Sequence, residues 1–211
     1  LGMPYTVTPS TISLLKDCPR CFWLHYRKGW KRPEGIYPSL PYGMDKVLKE
    51  RADYFREKGS LPLELHELPQ VKLFDHPLLA LWRNGKKGIR WKDEKGNVLW
   101  GALDDVLESK NKVIALKYVT RGFPTKKETA SYYQDKLNLY TFLLEKNGFA
   151  AERYAYLLFY SPKGMSWRGD VWLTKELQKM PVSLKDAEKL FQKAIMMLQG
   201  SMPKKSCAFC E

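Results

Sequence analysis

The first third of the chain carries apolar residues at helical spacing, interrupted by proline and glycine. Ser10 or Thr11 can cap a first helix, and Pro19 suits the first turn of a second one. A Pro- and Gly-rich loop from Lys31 to Gly43 should then precede a third helix from about Met44 to Lys58. The pattern predicts that the N-terminal part of the chain is helical.

The rest of the chain changes between the two-residue alternation of strands and helical spacing. The predicted elements are strands at Gly88 to Asp93, Val98 to Leu107 and Lys112 to Thr120, a helix at Lys126 to Asn147, strands at Ala151 to Tyr160 and Gly169 to Thr174, and a last helix capped by Ser183. This order predicts an α/β fold with a mixed β-sheet core flanked by helices, rather than a doubly wound parallel sheet. No linker interrupts 1–211, so we expect a single domain.

Composition favours a folded protein of the cell interior. Of the 211 residues, 44% are hydrophobic, which is enough for a substantial core. No run approaches the roughly 20 apolar residues that span a bilayer, and the sequence does not open with a secretion signal. We therefore expect a soluble, cytoplasmic protein without a membrane partner.

The charge balance indicates a partner. Lysine and arginine number 36 against 23 acidic residues, a formal net charge of +13, and the chain also has 7 tryptophans, 12 tyrosines and 9 phenylalanines. Such an excess points to polyanions, and aromatic faces among cations suit base stacking. A solvated lysine-rich surface around a core of aromatic residues is the alternative. The composition favours nucleic acid as the partner.

All four cysteines fall into two Cys-x-x-Cys pairs, Cys18 with Cys21 and Cys207 with Cys210. Two thiolates at this spacing can reach a common metal, and two such pairs complete a tetrahedral set. Local disulfides are disfavoured in a chain without a secretion signal. We expect a structural clasp between the two ends, because four thiolates leave no open position for a substrate. Zinc and a 4Fe-4S cluster both accept four cysteines, and the spacing alone slightly favours zinc.

Several segments, in order, resemble the RecB-like branch of the PD-(D/E)XK nucleases, which includes the CRISPR-associated exonucleases. They are Thr8-Pro-Ser-Thr-Ile-Ser with Cys18-Pro-Arg, Gly101-Ala-Leu-Asp-Asp, Lys117-Tyr-Val-Thr-Arg-Gly, Tyr133-Gln-Asp-Lys-Leu-Asn-Leu-Tyr140 and the closing cysteine pair. The resemblance covers nearly the whole chain and implies a restriction-endonuclease-like core. It also makes a 4Fe-4S cluster at least as well supported as zinc, although several relatives divide their cysteines one and three rather than two and two.

The resemblance further implies a centre of two carboxylates and a lysine around Mg²⁺ or Mn²⁺, which prepares water to attack a phosphodiester. Asp104 matches the first carboxylate, but the acid and lysine positions of the next strand hold Lys117 and Val119. A shift of register by two restores Lys117 as the lysine and puts Ala115 at the acid position. The second acid is missing in both registers. We expect Lys117 to pair with Asp104 in place of the cation and to keep the pocket without its chemistry.

The helix after the strands departs from the family as well. Tyr140 is present, but Lys136 occupies the position four residues earlier where the family has glutamine, and Gln134 lies half a turn away. Added lysines would strengthen attraction to phosphate. The residues expected to contact DNA are Arg121, Lys126, Lys127, Gln134, Lys136 and Tyr140.

Three functions remain open from the sequence. The leading one is a DNA-binding protein of nuclease fold, inactive or very weak, that takes part in DNA processing within a larger complex and binds single- or double-stranded DNA with low sequence specificity. The enzymatic alternative is an active exonuclease that recruits another acid, for which the candidates are Asp45, Glu50, Asp53 and Asp105. The third is a basic module that binds an acidic protein.

Overall fold

The computed structural model describes residues 4–33, 35 and 39–211. Within them the helices are α1 (Pro9–Asp17), α2 (Pro19–Lys28), α3 (Ser39–Glu57), α4 (Leu79–Trp82), α5 (Gln134–Lys146) and α6 (Leu184–Gln199). The strands are β1 (Thr6–Val7), β2 (Lys72–Leu73), β3 (Ile89–Lys92), β4 (Val98–Gly101), β5 (Asp105–Ser109), β6 (Lys112–Thr120), β7 (Tyr154–Met165) and β8 (Val171–Pro181). Short 3₁₀ turns lie at Leu63–Leu65 and Thr129–Tyr133.

The cap of the first helix lies two or three residues earlier than predicted. Thr8, rather than Ser10 or Thr11, caps α1: its hydroxyl accepts the Thr11 N–H at 3.1 Å, and the Thr11 hydroxyl oxygen accepts the Thr8 N–H at 2.9 Å. Pro9 occupies the first helical position, where its missing N–H leaves no bond unmade. The start of α2 at Pro19 is as predicted.

The third helix also begins earlier than predicted, at Ser39 instead of Met44. Pro41 and Gly43 suggested a loop because both residues usually break helices. Pro41 is accommodated because it lies in the first turn, where a backbone donor is not needed. Glu34 and residues 36–38 of the predicted loop lie outside the described residues.

The predicted strand from Val98 to Leu107 is wrong as a single element, because it divides into β4 and β5 of different sheets. Between them the backbone bonds to the region of α4. The Leu103 N–H donates to the Trp82 carbonyl at 3.0 Å, and the Arg83 guanidinium donates to the Asp104 carbonyl at 2.9 Å. These bonds replace ladder bonds, so Asp104 lies at the break between the sheets.

Two mixed sheets form the centre of the fold. The smaller has the order β1-β4-β3, in which β1 and β4 are parallel and β3 and β4 antiparallel. The larger has the order β2-β5-β6-β7-β8, in which the β6–β7 pair is parallel and the others are antiparallel. Helices flank both sheets, so the predicted mixed α/β architecture is confirmed.

The last two strands are longer than predicted. Thr120, the last residue of β6, pairs with Tyr160 of β7, but β7 and β8 continue together beyond this point. A register shift between Pro162 and Gly164 lets the pairing of the two strands continue past these residues. The pair therefore extends past the rest of the sheet.

The helix predicted from Lys126 begins only at Gln134. The Thr129 hydroxyl accepts the Lys126 N–H at 2.8 Å, a local bond that competes with helix formation. The 3₁₀ turn follows, and 121–128 therefore form a loop between β6 and the helical segment.

The central strands of the larger sheet are buried on both faces. Alternate residues point to opposite sides, so that Val119 and Phe159 pack under α1, α5 and α6, whereas Leu116 and Leu158 pack under α3. This double burial explains the nearly continuous apolar sequence of β6 and β7. Within the described residues, no helix has both the length and the apolar character needed to cross a membrane.

Candidate functional site

The two cysteine pairs meet in the structure. Cys18 ends α1 and caps α2, where its sulfur accepts the Cys21 N–H at 3.5 Å. Cys207 and Cys210 lie on a turn beyond α6, in which the Cys210 N–H donates to the Cys207 carbonyl at 2.9 Å. All four Sγ atoms lie within 4.8 Å of one another. The predicted four-cysteine clasp between the two ends is confirmed.

The sulfur atoms have the spacing of ligands around one ion. The Sγ–Sγ distances are 3.4 Å for Cys21 and Cys207, 3.7 Å for Cys18 and Cys210, and 3.8 Å for Cys207 and Cys210. A tetrahedron with metal–sulfur bonds of about 2.3 Å has edges of about 3.8 Å. The four cysteines, which are mostly buried, could therefore hold a metal ion and complete its coordination.

A cation lies beside these thiols. The Arg32 guanidinium donates to Cys207 Sγ at 3.8 Å, lies 4.9 Å from the centre of the Phe209 ring and is 3.5 Å from Asp17. The Phe209 backbone N–H lowers the pKa of Cys207 to about 6, whereas burial raises the pKa of Cys21 to about 12. Donors around Cys207 thus favour its thiolate, the form that binds metals.

Ordinary hydrogen bonds also join the two ends of the described chain. The Trp23 indole donates to the Gly200 carbonyl at 3.1 Å, and the Tyr5 hydroxyl donates to the Leu198 carbonyl at 3.1 Å. The clasp therefore adds to an existing contact between α2, β1 and the end of α6.

A second feature is a cleft of about 780 Å³ at the point where the two sheets separate. The N-terminus of α1, the start of α3, the ends of β4 and β6 and one side of α5 line it. The lining residues with polar chemistry include Thr8, Asp45, Asp104, Lys117, Lys136 and Tyr140. Asp104, Lys117, Val119 and Lys136, which the resemblance assigns to the altered catalytic centre, all lie here.

Asp104 and Lys117 form an ion pair in this cleft. Lys117 Nζ lies 2.9 Å from Asp104 Oδ2, which also accepts the Tyr118 N–H at 3.0 Å. The Lys117 side chain is 15% exposed and that of Asp104 11%. Burial disfavours the ammonium, but attraction to Asp104 outweighs burial and raises the pKa of Lys117 above that of an ordinary lysine. The charge of Asp104 is thus matched within the protein itself.

Lys136 and Tyr140 approach the pair from α5, one helical turn apart. Burial lowers the pKa of Lys136, and the charge of Lys117 lowers it further. Burial also raises the pKa of Tyr140 to about 12. In the part of the chain that the structure describes, no carboxylate lies within 4.0 Å of the Lys136 ammonium. The cleft therefore has a cation in excess of its ion pair, which suits an anion.

Three of the alternative acids lie on α3, and two of them, Asp45 and Glu50, have lysine partners on the same helix. Asp45 lines the cleft, but its carboxylate is bound to Lys49 at 2.7 Å. Glu50 is exposed and 3.7 Å from Lys46. Of these two acids, Asp45 is the one that shares the cleft with Asp104.

The other two alternative acids contact two buried arginines and lie outside the residues that line the cleft. Asp105 is fully buried and binds Arg56 at 2.6 Å and Arg83 at 2.8 Å, while the Tyr118 hydroxyl donates to it at 3.0 Å. Asp53 contacts the same two arginines. This arrangement satisfies both carboxylates and links α3, α4 and β5.

The residues predicted to contact DNA occupy three places. Lys136 and Tyr140 line the cleft, and Arg121 follows the last residue of β6 at its edge. Lys126 and Lys127 are exposed on the 121–128 loop. Gln134 lies outside the cleft, because its amide donates to the Pro181 carbonyl at 2.6 Å and to Asn138 Oδ1 at 3.0 Å.

The N-terminus of α1 is a part of the cleft that sequence reasoning did not assign. Thr8 lines it, and Pro9 packs on Gly101, where an added Cβ would lie 3.3 Å from Pro9 and 3.0 Å from the Tyr140 ring. Glycine at 101 thus allows α1 and α5 to approach β4 closely. The Thr8-Pro-Ser segment was part of the family resemblance, but nothing in the sequence indicated that it lies close to Asp104.

Comparison with known proteins finds solved structures that match the chain but no family. No protein-family model matches the chain, and no curated protein matches it. Among solved structures the chain is similar to one titled "Crystal structure of SSO0001", at 14% sequence identity and a TM-score of 0.49, over 100% of this chain and 85% of that chain. A function has to be inferred from the residues of the chain itself.

Proposed function

We propose that the chain is a DNA-binding protein of RecB-like nuclease fold in which an ion pair replaces the cutting centre. The 2.9 Å contact between Lys117 Nζ and Asp104 Oδ2 carries the proposal. The ammonium occupies the place at which a divalent cation would bind this carboxylate, and neither 115 nor 117 supplies the second acid. Two-carboxylate hydrolysis is therefore not expected, whereas attraction to phosphate is.

The unmatched charge of Lys136 supports a polyanionic ligand. A half-buried ammonium that forms no salt bridge with a described carboxylate costs free energy, and a ligand phosphate would offset that cost. The net charge of +13 and the exposed Lys126 and Lys127 add attraction that does not depend on sequence. The protein would hold single- or double-stranded DNA by its backbone and serve a larger DNA-processing complex.

Binding and cleavage measured on one preparation test the proposal. Fluorescence anisotropy with labelled DNA should show affinity that falls steeply with salt, with a log–log slope of about −0.7 to −0.9 for each phosphate contacted. Lys136→Met should reduce the magnitude of this slope by the contribution of about one phosphate contact. Lys193→Met, on the exposed side of α6, should leave the slope unchanged.

Three outcomes would contradict the proposal. Robust Mg²⁺- or Mn²⁺-dependent cleavage that disappears in Asp104→Ala would show an active nuclease. Affinity that does not change with salt would exclude phosphate-driven binding. Displacement of DNA by an acidic protein at much lower concentration than by competitor DNA would favour a protein-interaction module.

A reconstruction of the missing centre provides a second test. Lys117 and Val119 are two residues apart on β6 and both line the cleft. Lys117→Asp combined with Val119→Lys would set a second carboxylate beside Asp104 and restore the acid–lysine order. We expect Mg²⁺ to raise the unfolding temperature of this double variant but not that of the wild type. An equal Mg²⁺ effect on both proteins would contradict the proposed replacement of the cation.

We further propose that the cysteine clasp holds one zinc ion rather than a 4Fe-4S cluster. The Sγ–Sγ distances of 3.4, 3.7 and 3.8 Å support a single tetrahedral ion. A four-iron cluster binds each thiolate to a different iron and has to hold the sulfurs further apart. Cys18, Cys21, Cys207 and Cys210 would bind the zinc, which would have a structural role.

Metal analysis with a visible spectrum of freshly purified protein tests this assignment. A colourless protein with about one zinc per chain is expected. A brown protein that contains iron and sulfide would refute zinc and establish the cluster instead.

A further inference from the structure

The end of the β7–β8 pair projects beyond the sheet. Residues 162–173, here called the hairpin arm, follow Tyr160, whose partner Thr120 is the last residue of β6. Five further residues of β7 extend this pair by roughly 17 Å. Most of the arm is exposed, so it is held by pairing between its own two strands.

The hairpin arm exposes large apolar side chains that a solvated turn does not need. Trp167 at its tip is 88% exposed and Trp172 57% exposed. Met165 and Val171, which pair with each other, are exposed as well. The Trp172 ring lies against Gly164, which has no side chain to displace it. Exposed aromatic side chains gathered on one projection mark a contact surface.

This surface is on the same side of the sheet as the cleft. Alternation along β8 puts Trp172 on the same face as Met180, which packs on the core shared with Val119. Val119 in turn lines the cleft with Lys117. An extended ligand that leaves the cleft along this face therefore reaches the hairpin arm.

The loop at 121–128 connects the arm with the edge of the cleft. The Arg121 N–H donates to the Tyr160 carbonyl at 2.9 Å, and the Thr125 hydroxyl donates to Glu176 at the base of the arm. Between these contacts lies Phe123, 79% exposed. Aromatic rings thus continue from the edge of the cleft towards the tip of the arm.

The charges of the arm select the occupant of this surface. Lys163 and Arg168 lie on the arm and Lys175 next to it, and none of them forms a salt bridge with a described residue. The arm also carries one acid, Asp170, whose carboxylate accepts the Ser166 hydroxyl at 3.0 Å. The Arg168 guanidinium lies 4.7 Å from the centre of the Trp167 ring. Unpaired cations beside open aromatic faces match a strand with a phosphate backbone and unpaired bases, rather than an apolar partner.

We propose that the hairpin arm is a stacking platform for single-stranded nucleic acid, with Trp167 and Trp172 binding the faces of unpaired bases and Lys163 and Arg168 binding the adjacent phosphates. The inference rests on the proposed DNA-binding function and specifies the strand form that this surface recognises. In a duplex the base faces are stacked on one another, so the platform would distinguish single strands from duplexes.

Anisotropy titrations with oligothymidylate of roughly 20 nucleotides and with a blunt duplex test the inference. Trp167→Ala and Trp172→Ala should each weaken single-strand binding roughly 5- to 150-fold, the range for loss of one stacked base, and should change duplex binding by less than about 2-fold. Trp167→Phe and Trp172→Phe should keep most of the affinity. Tyr54→Ala removes a similarly exposed aromatic from α3 and should have no effect.

The outcomes separate the inference from the function on which it rests. A wild type that binds both DNA forms, with alanine variants that bind the single strand equally well, would overturn the platform and leave DNA binding intact. Equal losses for single strand and duplex would also overturn it, because neighbouring pairs cover the internal base faces of a duplex. A wild type that binds neither DNA would overturn the proposed function as well.

Discussion

Removal of the Asp104 carboxylate is expected to destabilise the protein. Asp104→Ala would leave the Lys117 ammonium and the Tyr118 N–H without their common acceptor. Because the Lys117 side chain is 15% exposed, water can replace this partner only in part. Deletion of one member of a buried pair costs about 3–5 kcal/mol, and we expect about 3 kcal/mol since the cleft admits some water.

The reciprocal substitution should cost less. Lys117→Met leaves Asp104 with the Tyr118 N–H, and the Lys136 ammonium is near enough for Asp104 to affect its pKa. We expect a loss of about 1–2 kcal/mol for this variant. The Asp104→Ala, Lys117→Met double variant should be about 1 kcal/mol less stable than Lys117→Met alone, which corresponds to a coupling energy of about 2 kcal/mol.

Urea unfolding of the wild type and the three variants at pH 7 measures these values. The slope of the unfolding free energy against urea concentration should be the same in all four proteins if unfolding is two-state. The folded-state pKa of Lys117 is raised, so its stabilisation is complete below the ordinary lysine value of 10.5 and is lost as pH rises through the higher folded value. The difference between wild type and Lys117→Met should therefore be constant from about pH 6 to pH 9.

A neutral or stabilising Asp104→Ala would refute the reasoning. That result is expected for an acid in a functional metal site, where the carboxylate is destabilising until its cation binds. A coupling energy near zero would also refute it, because Asp104 and Lys117 would then not depend on each other.

Three further outcomes are expected. Lys136→Met should raise the free energy of unfolding by about 0.5–2 kcal/mol at pH 7 while it weakens DNA binding. The folded-state pKa of Lys136 is lowered, so the charged side chain costs stability below that pKa, and the stability difference between Lys136→Met and the wild type should shrink as pH rises towards 10.5. Thermal unfolding of both proteins over this pH range measures the difference. Asp105→Asn should cost about 3–5 kcal/mol in urea unfolding without a change in DNA affinity, because it leaves two buried arginines short of an acceptor. If the clasp metal is present at a free concentration of about 1,000 times its Kd, its removal by a chelator should lower the unfolding temperature by about 8–16 °C. Thermal unfolding followed by circular dichroism measures this change.

The sequence predicts the elements of this fold better than their limits. Apolar spacing identified the helices and the buried strands, because burial imposes that spacing. Pro41 misled the prediction, since proline in a first helical turn does not end the helix it occupies. The break at Asp104 depends on bonds from the region of α4, and contacts between distant segments leave no local signal.

The cleft was predictable only in part, for a similar reason. The resemblance put Asp104 and Lys117 on neighbouring segments, and their ion pair follows from simple electrostatics. The ion pairs of Asp105 were not predictable, because Arg56 and Arg83 reach it from other parts of the chain. The composition showed that the chain is rich in aromatic and basic residues, but it could not predict that two tryptophans would be exposed on the hairpin arm.

The clasp and the cleft are parts of one structural unit. Cys18 ends the helix α1 whose first turn lines the cleft, and α1 also contacts α5 through the ion pair between Lys16 and Asp135. The Tyr26 hydroxyl of α2 donates to the Thr11 hydroxyl at 2.8 Å, which ties α2 to the capping box of α1. Because the cysteines fix the junction of α1 and α2, loss of the metal should loosen the wall of the cleft opposite β6. A clasp with no substrate position of its own would in this way support the binding of DNA.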